Sequence, residues 1–163
     1  MKIALILILS SPLVFPQGKS QKAHVHGAAQ ISIALDGLKG EVEFEAPADG
    51  VVGFESEAKT PAQKKLVQDA LAILKTRGSE LVIFPAASGC KLTPKEVELH
   101  REGAQHAEVH AHYDLVCSKP ITGEIKFGAT KLFPKTREVS VTFVSDQSQK
   151  SAKIVGDVGA LKP

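Results

Sequence analysis

Alternation of apolar and polar residues predicts strands in several parts of the chain. Residues 30–35 alternate with β-branched residues, and residues 40–46 place Val42 and Phe44 opposite a row of glutamates. Asp36 and Gly37 lie between these segments and indicate a turn, so the pair predicts a hairpin with one solvated face. Residues 108–117 and 138–145 alternate in the same way, and residues 148–155 could pair with the latter segment.

A helix is predicted where the apolar spacing changes after Thr60. Thr60 can cap the helix, Pro61 suits its first position, and Gln63 stands where a capping box requires it. Apolar residues then recur at helical spacing up to Arg77, and Gly78 provides a stop signal.

The remaining segments complete a prediction of fold class. Residues 80–85 suit a strand or an extended connection, the polar residues 100–107 suit a loop, and the tail from Gly156 is expected to fray. Residues 125–133 suit a short helix or a strand equally. The pattern predicts an α+β fold in which an antiparallel β-sheet is packed by one long helix and, if residues 125–133 are helical, one short helix.

The N-terminus has the pattern of a secretory signal peptide. A positive start at Met1 and Lys2 is followed by an apolar run and a polar exit at residues 17–20. The run is too short to span a bilayer as a stable helix, although a retained membrane anchor is the alternative interpretation. We expect a signal peptide over residues 1–20, a single α+β zinc-binding-like domain over residues 21–163, and no stable membrane insertion after cleavage.

Composition excludes some functions and suggests the redox compartment. Lys and Arg number 20 against 18 Asp and Glu, so no basic surface for nucleic acid is expected. The absence of Trp and the small number of aromatic residues argue against a surface on which bases or sugars would stack. Cys90 and Cys117 form an even pair behind a predicted signal peptide, which favours one disulfide. A pair of metal or redox thiols is the alternative, but their spacing is not that of a C-x-x-C motif.

The six histidines are the strongest chemical signal. His24 and His26 form an H-x-H pair, and His100, His106, His110 and His112 lie within thirteen residues as a histidine-rich loop and strand. A strand places His110 and His112 on one face, where both imidazoles can reach a metal ion, and His106 or His100 could supply a third ligand.

Zinc is the expected ion at these histidines, although copper(II) would bind such ligands more tightly in vitro. With the cysteines oxidised, a carboxylate or water would complete the ligand set, and Glu98, Glu102, Glu108 and Asp114 lie close in sequence. The alternative is that the histidines bind no metal and only form a solvated polar face. Neither H-E-x-x-H nor G-x-S-x-G is present, so no enzymatic activity is expected.

Several short segments in fixed order resemble the ZrgA-like periplasmic zinc-uptake proteins. These segments are Ala23-His24-Val25-His26-Gly27-Ala28, Ala46-Pro47-Ala48, Val52-Gly53-Phe54-Glu55, Ala86-Ala87-Ser88-Gly89-Cys90, Tyr113-Asp114-Leu115-Val116-Cys117 and Leu132-Phe133-Pro134. The likeness spans residues 23–155. Two departures are visible, because such proteins often carry a long His/Asp/Glu-rich tract in the middle and often have His where this chain has Ser56.

The resemblance implies a periplasmic zinc-binding accessory protein that assists zinc import in a Gram-negative bacterium. Its partners would then be a zinc transporter or other periplasmic zinc-import components, and the departures imply few metal ions per chain. The alternative is an envelope structural or protein-interaction domain with no specific metal site.

Overall fold

A computed structural model describes residues 26–103, 105–156 and 159–163, without the side chain of Glu102. These residues contain nine strands and four α-helices. The strands are β1 (Ala28–Asp36), β2 (Lys39–Pro47), β3 (Val82–Ile83), β4 (Lys91–Glu102), β5 (His106–Val116), β6 (Ile125–Phe127), β7 (Glu138–Ser145), β8 (Gln149–Val155) and β9 (Gly159–Leu161). The helices are α1 (Ala48–Val51), α2 (Pro61–Thr76), α3 (Gly78–Leu81) and α4 (Ala129–Leu132). The predicted signal peptide at residues 1–20 and the ligand candidate His24 lie outside the described residues.

The main sheet has six strands in the order β4-β5-β2-β1-β7-β8, and a second sheet has the order β3-β6-β9. The β1–β2 hairpin predicted from the sequence is confirmed, as is the antiparallel pairing of β7 with β8. The expectation of a purely antiparallel sheet is wrong, because β1 pairs with β7 in parallel. Alternation along a strand identifies its two faces but carries no information about the direction of its neighbour. The fold is α+β with a mixed main sheet.

One face of the main sheet forms the hydrophobic core. Apolar residues of β1, β2, β5 and β7 point inward and are almost fully buried, among them Ile31, Phe44, Val109 and Phe143. Helix α2 packs on this side through Ala70 and Leu74. The opposite face carries the polar residues of the same strands, and we call it the open face.

Helix α2 begins as its sequence predicts. The backbone N–H of Gln63 donates to the Thr60 hydroxyl at 3.2 Å, and the backbone N–H of Thr60 donates to Oε1 of Gln63 at 3.0 Å, which completes the capping box. Gly78 follows the helix for a different reason from the one predicted. A Cβ at Gly78 would lie 2.6 Å from the ring of Tyr113, so glycine allows the chain to pass over that buried ring.

Three segments differ from their predictions. Most of residues 100–107 belong to strands, because β4 continues to Glu102 and β5 starts at His106. Residues 125–133, for which a strand and a short helix were equally expected, contain one of each, first β6 and then α4. Part of the tail expected to fray forms β9, which pairs with β6. The end of β4 pairs with the start of β5 across their hairpin, and β6 pairs with the distant strands β3 and β9. Local composition does not report such pairing.

The predicted disulfide between Cys90 and Cys117 is confirmed. Cys90 immediately precedes β4 and Cys117 immediately follows β5, so the bond closes the base of the long β4–β5 hairpin. The hairpin tip is at the opposite end, next to His106. No helix among the described residues is long and apolar enough to cross a membrane.

Candidate metal centre

His26 precedes β1 and is held in place through Gly27. The carbonyl of Gly27 accepts hydrogen bonds from the backbone N–H groups of Arg137 at 2.7 Å and Glu138 at 3.2 Å. Gly27 itself has a φ of 76°, which a residue with a Cβ rarely adopts. The glycine of the H-x-H-G segment therefore sets the turn that places His26 at the start of the sheet.

Asp49 and Glu55 reach the same place from the segment that follows β2. Asp49 lies on the short helix α1, where the Thr136 hydroxyl donates to the carbonyl of neighbouring Gly50 at 3.2 Å. Glu55 lies between α1 and α2. Both carboxylates are thus carried by a connection that packs back against the start of β7.

His26, Asp49 and Glu55 each offer a ligand atom, and these atoms all lie within 4.8 Å of one another. Nδ1 of His26 is 2.7 Å from Oδ2 of Asp49 and 3.4 Å from Oε1 of Glu55. Ligands of a tetrahedral zinc with bonds of 2.0–2.1 Å are about 3.3 Å apart. The His26–Glu55 distance matches this spacing and the His26–Asp49 distance is shorter, so opening the His26–Asp49 hydrogen bond would let the three side chains surround one zinc ion. We call them the His26 cluster.

Two carboxylate oxygens of this cluster are buried without a hydrogen-bond partner among the described residues, Oδ1 of Asp49 and Oε1 of Glu55. His26 Nδ1 lies within ion-pair distance of the second oxygen but does not make a hydrogen bond to it. Leaving a buried acceptor unsatisfied costs about 1–3 kcal/mol, and more for a charged group. A bound cation would satisfy both oxygens, so the donor set fits a divalent metal.

Burial differs within the cluster in a way that suits an exchangeable ion. The side chain of Glu55 is only 11% exposed, whereas that of His26 is 72% exposed. The carboxylates form the floor of the cluster and the imidazole lies at its solvent side. An ion could therefore enter or leave by displacement of the histidine alone.

His106 and Arg101 connect the cluster to the tip of the β4–β5 hairpin. Nδ1 of His106 is 3.3 Å from Oε2 of Glu55, so the two oxygens of Glu55 face two different histidines. Arg101 donates to the carbonyl of Glu55 at 3.2 Å and to the carbonyl of Ser56 at 2.8 Å. The guanidinium thereby fixes the backbone from which Glu55 projects.

The remaining predicted ligands lie on the open face, farther along β4 and β5. The rings of His100 and His110 have centroids 5.7 Å apart. His112 instead has its Nδ1 3.4 Å from Oε1 of Glu43 on β2. The sequence predicted a pair along the strand, His110 with His112, but the ring contact observed for His110 crosses to the neighbouring strand.

The carboxylates expected from the sequence have mixed positions. Oε2 of Glu108 is 3.2 Å from Nε2 of His110. Asp114 lies 3.6 Å from the ammonium of Lys95, and Glu98 is paired in register with His110 on the open face. The side chain of Glu102 is outside the described residues.

Sequence reasoning missed Asp49 and Glu55 as ligands. Glu55 ends the Val52-Gly53-Phe54-Glu55 segment, and Asp49 directly follows Ala46-Pro47-Ala48, so both were within or beside segments already singled out. The missing information was the fold of the connection after β2, which returns both carboxylates to His26. Histidine spacing carries no information about that fold.

Comparison with known proteins gives one family match. The model of a family described as ZrgA family zinc uptake protein matches residues 23–162, a span that includes every member of the His26 cluster. Among curated proteins, none matches the chain significantly.

Proposed function

Because the chain belongs to the ZrgA family of zinc uptake proteins, we propose that it is an exported, non-catalytic accessory protein that binds zinc as cargo during zinc acquisition. His26, Asp49 and Glu55 bind the ion in this proposal. In the proposal His106, whose Nδ1 is 3.3 Å from Oε2 of Glu55, turns toward the ion as a fourth ligand.

The single observation that supports this assignment most is the pair of buried, unsatisfied carboxylate oxygens beside an exposed imidazole. One nitrogen and two oxygen ligands are a donor set that zinc accepts. The two carboxylates neutralise the charge of the ion, which favours retention of a divalent cation over release into water. As cargo, zinc is bound and passed on unchanged, so the proposed role of the site is binding and transfer and not catalysis.

Export and partner are proposed on separate grounds. The Cys90–Cys117 disulfide is compatible with an oxidising compartment such as the periplasm of a Gram-negative bacterium. A zinc transporter or other periplasmic import components would receive the ion. The exposure of His26 allows a partner's ligand to replace the imidazole without unfolding the floor of the cluster.

Calorimetric zinc titration of the mature protein tests the assignment. Glu55→Gln should weaken the tightest zinc site by at least about tenfold, which corresponds to about 1.4 kcal/mol. Glu57→Gln is the matched control, because Glu57 is exposed two residues away and is not a member of the cluster. Equal affinities for both variants would contradict the site, and a parent protein with no submillimolar zinc binding would favour the envelope interaction domain.

A further inference from the structure

We propose a second divalent-metal site on the open face, formed by His100 and His110 with Glu98 and Glu108. It is separate from the His26 cluster and uses none of its side chains. We call these four residues the diagonal site.

The strand register brings the four residues together. β4 and β5 are antiparallel, with His100 opposite Glu108 and Glu98 opposite His110. Residues two apart on a strand share a face, so all four lie on the open face. Each histidine has a carboxylate across from it and a second histidine on the diagonal, which gives two nitrogen and two carboxylate ligand groups at the corners of a quadrilateral.

The spacing of the two rings is close to that of a shared metal ion. Two imidazoles bound to one tetrahedral zinc at 2.0–2.1 Å have ring centroids about 5 Å apart. The centroids of His100 and His110 are 5.7 Å apart, with the ring planes tilted by 60°. Small side-chain rotations close the difference, and such rotations are fast for a residue as exposed as His100.

Carboxylates surround His110 on more than one side. Its Nε2 is 3.2 Å from Oε2 of Glu108, and its Nδ1 is 4.0 Å from Oε1 of Glu45 on β2. Carboxylates also act on Lys95 farther along this face. A hydrogen bond to Glu41 and the charge of Asp114 raise the pKa of the Lys95 ammonium above its ordinary value. A cation is therefore favoured over an anion on this part of the open face.

The diagonal site is expected to bind more weakly than the His26 cluster. The described ligand atoms of the His26 cluster already lie within 4.8 Å of one another, whereas those of the diagonal site must first rotate. Ordering exposed side chains costs conformational entropy, which lowers the affinity. His106 and His110 are four residues apart on β5, or about 13 Å along the strand.

Zinc titration by calorimetry and imidazole nitrogen NMR tests the inference. The parent should bind two zinc ions per chain, the weaker of which is lost in His100→Gln with His110→Gln while the tighter one remains. Glu108→Gln should weaken the second site by about tenfold, and Asp114→Asn, an equal charge change on the same strand and face, should have a smaller effect. Circular dichroism of each variant verifies that the fold is intact.

The two proposals fail in distinguishable ways. Loss of the weaker ion only in the His100/His110 variant supports the diagonal site, even if Glu55→Gln has no effect on the tighter one. One zinc ion per chain in the parent, or two ions that survive the double substitution with unshifted His100 and His110 resonances on zinc addition, would overturn the diagonal site and leave the His26 cluster unaffected.

Discussion

Nδ1 of His26 lies 2.7 Å from Oδ2 of Asp49, although 23 positions separate the two residues in sequence. The hydrogen bond orients the imidazole above the floor formed by the carboxylates. It also occupies the nitrogen that would bind a metal, so an arriving ion replaces a hydrogen bond by two stronger interactions. The expected behaviour of the site follows from this competition.

The first prediction ranks the histidines. His26→Ala should lower the affinity of the tightest zinc site more than His110→Ala with His112→Ala, because His26 already lies beside two carboxylates while His112 is turned toward Glu43. Histidine spacing alone favours the opposite order. Calorimetry at about pH 7 decides it, and a greater loss in the strand variant would restore the sequence prediction.

Arg101 should influence zinc binding without being a ligand. Arg101→Ala removes both donors to the carbonyls of Glu55 and Ser56, and we expect about tenfold weaker zinc binding, as for other residues that orient metal ligands. Arg101→Lys should recover only part of the affinity, since an ammonium cannot reproduce the planar fork. Unchanged affinity in Arg101→Ala, in a protein that melts like the parent, would contradict this role.

Zinc affinity should decrease as the pH is lowered. Protonated imidazole has no lone pair for a metal, so binding should weaken steadily between about pH 7.5 and about pH 5.5. The His26→Ala variant should show a shallower dependence at its tightest site. Circular dichroism should stay unchanged on addition of EDTA, because the core is formed by apolar side chains that pack without a metal ion. A pH-independent affinity in the parent would exclude histidine as a ligand.

Loss of the disulfide should destabilise the fold. Replacing Cys90 and Cys117 by serine removes a cross-link between residues 27 positions apart, which the chain-entropy model values at about 3.5 kcal/mol. Urea unfolding measures the change. Alkylation without reductant, followed by mass spectrometry, should find no free thiol in exported protein, and two labelled cysteines there would contradict the disulfide.

The single tyrosine provides an internal probe of alkaline stability. The Tyr113 hydroxyl donates to the carbonyl of Leu74 at 2.8 Å, and burial raises the pKa of its phenol above the ordinary value. The stabilisation is therefore present below about pH 10 and is lost as the pH rises further, because the unfolded chain ionises first. Tyr113→Phe should cost about 1 kcal/mol at neutral pH and have a flatter stability profile above about pH 10. An identical profile in both proteins would contradict this assignment.

Local features of the fold were predictable from the sequence where a single segment contains its own signal. The capping box at Thr60 and Gln63 and the turn at Asp36 and Gly37 depend only on neighbouring residues, and both are confirmed. The parallel partner of β1 and the strand character of His100 were not predictable in this way. The partner of β1 is remote in sequence, whereas His100 pairs with Glu108 across the β4–β5 hairpin. In both cases the local pattern is the same with or without the partner strand.

The candidate site shows the same division. The number and spacing of the histidines predicted metal binding and included His26 among the ligands, but they gave no reason to join it to Asp49 and Glu55. Those two carboxylates are ordinary acidic residues until the connection after β2 folds back. Spacing along β5 likewise suggested His110 with His112, whereas the observed ring contact follows the diagonal between two paired strands.

The anchoring of Gly27 has a consequence for timing. Its carbonyl is held by Arg137 and Glu138, which leave a ribosome or a translocation channel long after His26 has emerged. An elongating chain therefore presents this histidine without the backbone support that fixes its position, and pairing so distant in sequence forms slowly. Under the proposed function, zinc binding at this place would require the finished fold, and a chain still being synthesised would lack the complete site.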